Sequence, residues 1–174
     1  MKASPAVFAA HVCFMLCLVL NSGPALAAPA PLKVVPGNLT TLLRSGTMAG
    51  GEAHQSEISL LAVESLKQSQ GERLTLSFGD HTGQPLQGKI GYFHIALDRS
   101  GKRLVIDLSH IARTAVDPSQ LKKILSKSAL VDGSDMTMDP SDGSTNITLN
   151  FKAPVQLTVR PTGKDNKLVL DLIQ

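Results

Sequence analysis

The chain carries one two-block pattern twice. Leu74-Thr-Leu-Ser-Phe78, followed by Gly101-Lys-Arg-Leu-Val-Ile-Asp-Leu108, returns as Ile147-Thr-Leu-Asn-Phe151 followed by Asp165-Asn-Lys-Leu-Val-Leu-Asp-Leu172. Leu74 and Ile147 are 73 positions apart and Leu104 and Leu168 are 64 apart. The copies are therefore collinear, and the difference fits an extra polar loop at residues 80–88 of the first copy. Within each block apolar and polar residues alternate at period two, the pattern of a strand with one buried face. Two copies predict two similar small sheets that hide their apolar faces against each other, an all-β sandwich.

Residues 1–27 read as an export signal. Lys2 supplies a thin positive start, residues 8–20 are apolar apart from His11, and Ala25-Leu26-Ala27 offers small residues for cleavage. The apolar run is too short for a stable membrane anchor, and no integral membrane segment is expected after cleavage. Both cysteines, Cys13 and Cys17, lie inside this segment. The remaining chain must be held by its core rather than by disulfides, which a bacterial periplasm permits. Of 17 basic side chains only Lys2 falls in the signal, so against 14 acidic ones the exported chain has a net charge of +2. With no tryptophan, one tyrosine and no clustered basic stripe in the sequence, nucleic acid is excluded as a partner.

Residues 28–57 read as a flexible tether, with Asn38 placed to cap one helical turn through Leu39, Leu42 and Leu43. From residue 58 to 174 the strand signals are nearly continuous, predicting strands at 58–66, 73–78, 91–97, 103–108, 130–138, 144–151, 155–160 and 167–173. The inward set is Leu74, Leu76, Phe78, Phe93, Ile95, Leu97, Leu104, Ile106 and Leu108 in one copy. In the other it is Ile147, Leu149, Phe151, Val155, Leu157, Val159, Leu168, Leu170 and Leu172. At roughly 1.5–3 kcal/mol each, their burial supplies tens of kcal/mol against chain entropy. Turns are expected at Gly71, Gly101, Gly143 and Gly163. One short helix joins the halves: Asp117 and Pro118 open it, Gln120 occupies the capping-box position, and Leu121, Ile124 and Leu125 form its apolar edge. Lys122, Lys123 and Lys127 fall on its solvated side.

The strand ends Lys102-Arg-Leu-Val-Ile-Asp-Leu108 and Asn166-Lys-Leu-Val-Leu-Asp-Leu172, each closing a half that opens on a Leu-Thr-Leu-Ser-Phe-like strand, resemble the AMIN domain over residues 58–174. That family is a localisation module of periplasmic N-acetylmuramoyl-alanine amidases and type IV pilus secretins. The resemblance implies a β-sandwich, a periplasmic location and a non-catalytic envelope-targeting role through binding of peptidoglycan. It also leaves open an accessory subunit that docks on a type IV pilus secretin or other secretion complex without touching the wall. The sequence departs from the family in the capped helix between the halves. It also departs in lacking, within these 174 residues, the catalytic or pore-forming domain that usually follows.

No enzymatic constellation is present, and no catalytic residue, metal site or cofactor is assigned. His54, His81, His94 and His110 stand singly, without a second ligand at a metal-binding spacing, and no Gly-x-Ser-x-Gly elbow exists. Asp132, Asp135, Asp139 and Asp142 lack the order of a calcium loop and read as a polar turn. The candidate binding residues are Arg103 with Asp107 and the equivalent Lys167 with Asp171, each on the face opposite the core. Their plainer reading is an ion-pair ladder that keeps the sheets soluble. Their functional reading is a shallow groove, extended by Tyr92, His94 and Arg160, for the carboxylates and hydrogen-bond donors of the wall. The export reading makes a direct prediction: protein recovered from a periplasmic extract should begin at Ala28 by intact-mass measurement, whereas Met1 retained in the membrane fraction would mean an uncleaved anchor.

Overall fold

Period-two burial runs through residues 71–78, 93–97, 103–108, 144–151 and 156–162. In the computed structural model the described residues are 33–34, 40–52, 57–86, 89–109, 111–139 and 141–174. The segment read as an export signal, Asn38, His54 and His110 lie outside them. The strands are β1 (Lys33–Val34), β2 (Thr41–Leu43), β3 (Gly46–Gly50), β4 (Ile58–Gln68), β5 (Gly71–Asp80), β6 (Phe93–Leu97), β7 (Arg103–Leu108) and β8 (Ile111–Thr114). After helix α1 (Pro118–Leu125) come β9 (Val131–Asp139), β10 (Ser144–Phe151), β11 (Gln156–Thr162) and β12 (Lys167–Ile173). All of the inward set named from the sequence is buried, Leu76, Ile95, Leu104, Ile106, Leu149, Leu157, Val159, Leu168 and Leu170 completely.

Two six-stranded sheets pack face to face. The first has the order β1-β3-β6-β7-β10-β9 and the second β2-β11-β12-β5-β4-β8. The two similar sheets are thus present, but neither repeat owns one. The first repeat places its hairpin β4–β5 in the second sheet and its hairpin β6–β7 in the first, and the second repeat does the reverse with β9–β10 and β11–β12. The repeats meet along two antiparallel seams with matching register. Leu74 pairs with Leu170 and Leu76 with Leu168 in one seam; Ile147 pairs with Ile106 and Leu149 with Leu104 in the other. Even the irregularity is duplicated. An extra residue, Leu61 in β4 and Asp132 in β9, bulges opposite Ser77–Phe78 and Asn150–Phe151 respectively, which are equivalent positions of the repeat.

Three parts of the fold differ from expectation. The stretch read as a tether contains β1, β2 and β3: β2 is the edge strand on β11, and β3 lies between β1 and β6, so Leu42 and Leu43 are extended rather than helical. Their signal is weak because Gly50 has no side chain by design of the packing: a Cβ there would meet the Phe93 ring at 2.6 Å. Thr41, Leu43 and Met48 nevertheless bury into the interior. Second, β8 runs parallel to β4 where no strand was expected. Third, the β11–β12 turn begins at Gly163 as expected, but the residue that takes the left-handed conformation is Asn166, at φ 50°. Asn166 is buried, donates from Nδ2 to the Leu86 carbonyl at 3.0 Å, and so ties the polar loop after β5 to this turn. At Gly71 (φ +149°) the glycine is required, since a Cβ would lie 1.9 Å from the Leu172 carbonyl oxygen.

Helix α1 forms where the capping signals placed it. The Asp117 side chain accepts from the Gln120 N–H at 2.8 Å, and Gln120 Oε1 accepts from the Asp117 N–H at 3.2 Å. Leu121 and Leu125 bury against the core and Ile124 packs beside them. The helix exit is fastened to the second sheet by Glu72, at the inward parity of β5 and 7% exposed. Its carboxylate accepts from the hydroxyls of Ser65 and Ser128, and Ser128 Oγ accepts in turn from the N–H groups of Leu130 at 3.1 Å and Val131 at 2.9 Å.

The equivalence of the repeats is testable by symmetric truncation. Ile106→Ala and Leu170→Ala should each lower stability by about 2–5 kcal/mol in denaturant melts, while Thr75→Ala and Thr148→Ala, on the outer faces beside Val169 and Val105, should have small effects. Equal losses at all four positions would mean that the face assignment is wrong.

Candidate functional site

The alternation that sends Leu104 and Ile106 inward from the first sheet sends Arg103, Val105 and Asp107 outward. In the second sheet Lys167, Val169 and Asp171 point outward while Leu168 and Leu170 point in. Because the sheets face each other, the two charged pairs lie on opposite sides of the sandwich. The single groove expected from the sequence does not form: His94, with Tyr92 just before β6, belongs with Arg103 and Asp107, whereas Arg160 belongs with Lys167 and Asp171. Nor does either i, i+4 pair close on itself. Four residues of strand span about 13 Å, and neither Arg103 with Asp107 nor Lys167 with Asp171 forms an ion pair.

The two faces have diverged at equivalent positions. On the second sheet, Asp171 lies directly opposite Arg73 of β5 and receives its guanidinium as a fork, Nε to Oδ1 at 2.6 Å and Nη2 to Oδ2 at 3.0 Å. This bond raises the Arg73 pKa, with burial opposing it and the charge of Asp171 adding to it. Val169 beside it is 7% exposed although it points away from the core. On the first sheet, Asn146 stands where the repeat has Arg73, so Asp107 is flanked by the neutral Asn146 on β10 and by His94 on β6. Asp107 Oδ1 is buried and has no hydrogen-bond partner. Leaving such an acceptor unsatisfied costs about 1–3 kcal/mol. Tyr92, 48% exposed, stands at the edge of this face.

The remaining candidates are structural. Arg160 lies opposite Val169, with its Nε buried and unpartnered. Asp139 accepts from the N–H of Ser141 at 2.9 Å and its Oγ at 2.6 Å, and Asp142 accepts from the Ser144 N–H at 2.8 Å. Only Asp142 lies in the turn expected for all four; Asp132, Asp135 and Asp139 sit on β9, Asp139 as its last residue. Among the described residues no three His, Cys, Asp or Glu side chains converge to hold a metal ion, and no helix is long and apolar enough to cross a membrane. Arg73 was not a candidate from the sequence because its opposition to Asp171 depends on the seam between repeats. Glu72 had a readable signal, a carboxylate at the inward parity of Leu74, Leu76 and Phe78. Compared with known proteins, the chain matches no family model and no curated relative.

Four aspartates are held below the usual carboxylate range by hydrogen bonds in turns: Asp80 by the Thr82 hydroxyl and the Gln84 N–H, Asp98 by the Ser100 hydroxyl and the Arg103 N–H, Asp117 by the Ser119 hydroxyl and the Gln120 N–H, and Asp139 by the Ser141 hydroxyl and N–H. A depressed folded-state pKa adds stability that is present above the unfolded value and lost as pH falls through the folded one. Denaturation midpoints should therefore hold at neutral pH and fall below about pH 4. Asp98→Asn should lower the neutral midpoint and flatten the acid decline; a decline as steep as in the parent protein would remove Asp98 from the account.

Proposed function

We propose that this protein is a non-catalytic envelope-binding module of the periplasm and that it contacts peptidoglycan through the outer face of the first sheet. The observation that carries the reading is the contrast between two equivalent carboxylates: Asp171 is satisfied inside the protein by Arg73, and Asp107 is not. Three features support the wall as the ligand. They are the export-type N-terminal segment, the duplicated AMIN-like strand ends, and the combination of Asp107, His94, Asn146 and Arg103 on one face. That combination offers both an acceptor for sugar or amide donors and a cation for stem-peptide carboxylates. Arg103 is exposed and without an ion-pair partner among the described residues. The duplicated face on the second sheet, closed by its own salt bridge, serves as the internal control.

A second reading is favoured by one feature. β9 is nine residues long and forms an edge of the first sheet; α1 packs beside its start, and a strand from another protein would pair with the part of the edge beyond the helix. In that case the protein is an accessory subunit of a secretin or other envelope complex. Co-sedimentation with isolated sacculi separates the two. The parent protein should pellet with sacculi, and Asp107→Asn and Arg103→Ala should each lower the bound fraction several-fold without changing the melt. Lys167→Ala should leave binding unchanged, and Asp171→Asn should cost stability of about 1 kcal/mol but not binding. Full binding by folded Asp107→Asn would exclude this face, and a parent protein that stays in the supernatant would favour the edge-strand reading.

A further inference from the structure

The topology gathers at one end of the sandwich the turns after β2, β4 and β6, the exit of α1 and the connection between β10 and β11. Basic side chains remote in sequence meet there: Arg44 and Arg99 in one cleft, Lys67 and Lys127 in another, and Lys122 and Lys152 in a third. The first of these has a volume of about 280 Å³, and Arg44 and Arg99 line it together with Pro154, Val155 and Ile173. Among the described residues neither guanidinium has a hydrogen-bond or ion-pair partner. The nearby carboxylate of the β6–β7 turn is committed elsewhere. Asp98 accepts from Ser100 Oγ at 2.6 Å, from the Lys102 N–H at 2.8 Å and from the Arg103 N–H at 3.1 Å. The floor of the cleft is fixed by backbone bonds, the Val155 N–H to the Gly101 carbonyl at 2.9 Å and the Phe151 N–H to the Lys102 carbonyl at 2.8 Å. At Gly101 (φ +68°) a Cβ would stand 3.0 Å from the Val155 carbonyl oxygen, so the close approach of these two segments depends on glycine.

Arg44 and Arg99 line the same cleft, and a planar oxyanion held by both would receive charge-assisted fork bonds. The apolar part of the lining selects among oxyanions. Pro154, Val155 and Ile173 provide a surface beside the charge that a short apolar substituent can cover and a bare phosphate cannot use. We propose that this cleft captures the free C-terminal carboxylate of a peptide ending in a small apolar residue. The site is separate from the outer face of the first sheet and does not rest on that face being a wall-binding surface.

Calorimetric titration of the protein with N-acetyl-alanyl-alanine, with its C-terminal amide and with inorganic phosphate tests the proposal. The acid should bind, and the amide and phosphate should each bind at least roughly tenfold more weakly. Arg44→Gln combined with Arg99→Gln should abolish binding of the acid with the melt unchanged, because both side chains are exposed. The double change Arg44→Lys with Arg99→Lys keeps the charge and loses the forks, and should weaken the acid several-fold. Failure of the acid to bind overturns the proposal. So does equal binding of acid and amide, phosphate binding as tight as that of the acid, or retention of the acid by the folded glutamine double variant.

Discussion

Along the two seams where one repeat meets the other, β5 against β12 and β7 against β10, the central inward pairs, Leu74 with Leu170, Leu76 with Leu168, Ile106 with Ile147 and Leu104 with Leu149, are apolar and almost wholly withdrawn from water. Each such side chain contributes roughly 1.5–3 kcal/mol of burial, whereas a backbone hydrogen bond adds only about 0.5–1.5 kcal/mol net. The ladder is satisfied in any register; the leucines are satisfied in one. A slip by a single residue would turn Leu74, Leu76, Leu168 and Leu170 to solvent and draw Arg73, Thr75, Val169 and Asp171 into the core. The seams therefore decide which residues face outward, and through that they decide the composition of both outer surfaces and of the clefts at the sandwich end.

Much of this was legible in the chain itself. The repeat, its period-two pattern and the capping box at Asp117 led to the correct strands, the correct inward set and the correct helix, because each is a local rule read over several consecutive residues. What was not legible depends on partners remote in sequence. β2 is three residues long and β3 is bounded by glycines, and they are strands only because β11 and β6 offer them an edge. Asn166 takes the left-handed position because its amide reaches the Leu86 carbonyl across the polar loop. The candidate groove failed for a related reason. Parity along a strand says that Arg103 and Lys167 both point away from the core, but not that the cores they point away from belong to opposite sheets.

Duplication also supplies a comparison within one molecule. At matched positions the copies keep Val105 and Val169, Asp107 and Asp171, and a basic residue at 103 and 167, so the backbone environment is held nearly constant while the neighbours vary. The exchange of Arg73 for Asn146 across the seam is enough to turn a closed ion pair into an open acceptor. The basic end of the molecule has a different origin. Its residues come from β4, α1 and the loops, outside the repeated blocks, and their convergence is a product of strand topology rather than of local composition in a nearly neutral and evenly charged sequence.

The position of β12 carries one more consequence. It is the last strand of the domain in chain order, yet it occupies the interior of the second sheet, between β11 and β5. When the chain emerges from its N-terminus, whether from a ribosome or from a translocation pore, β4 and β5 wait with one edge and one apolar face uncovered until residues some hundred positions later arrive. Hairpins can form early, but the sheet can close only once β12 has emerged. Such a chain stays threadable for as long as it is incomplete, and it commits to its native state in one late step.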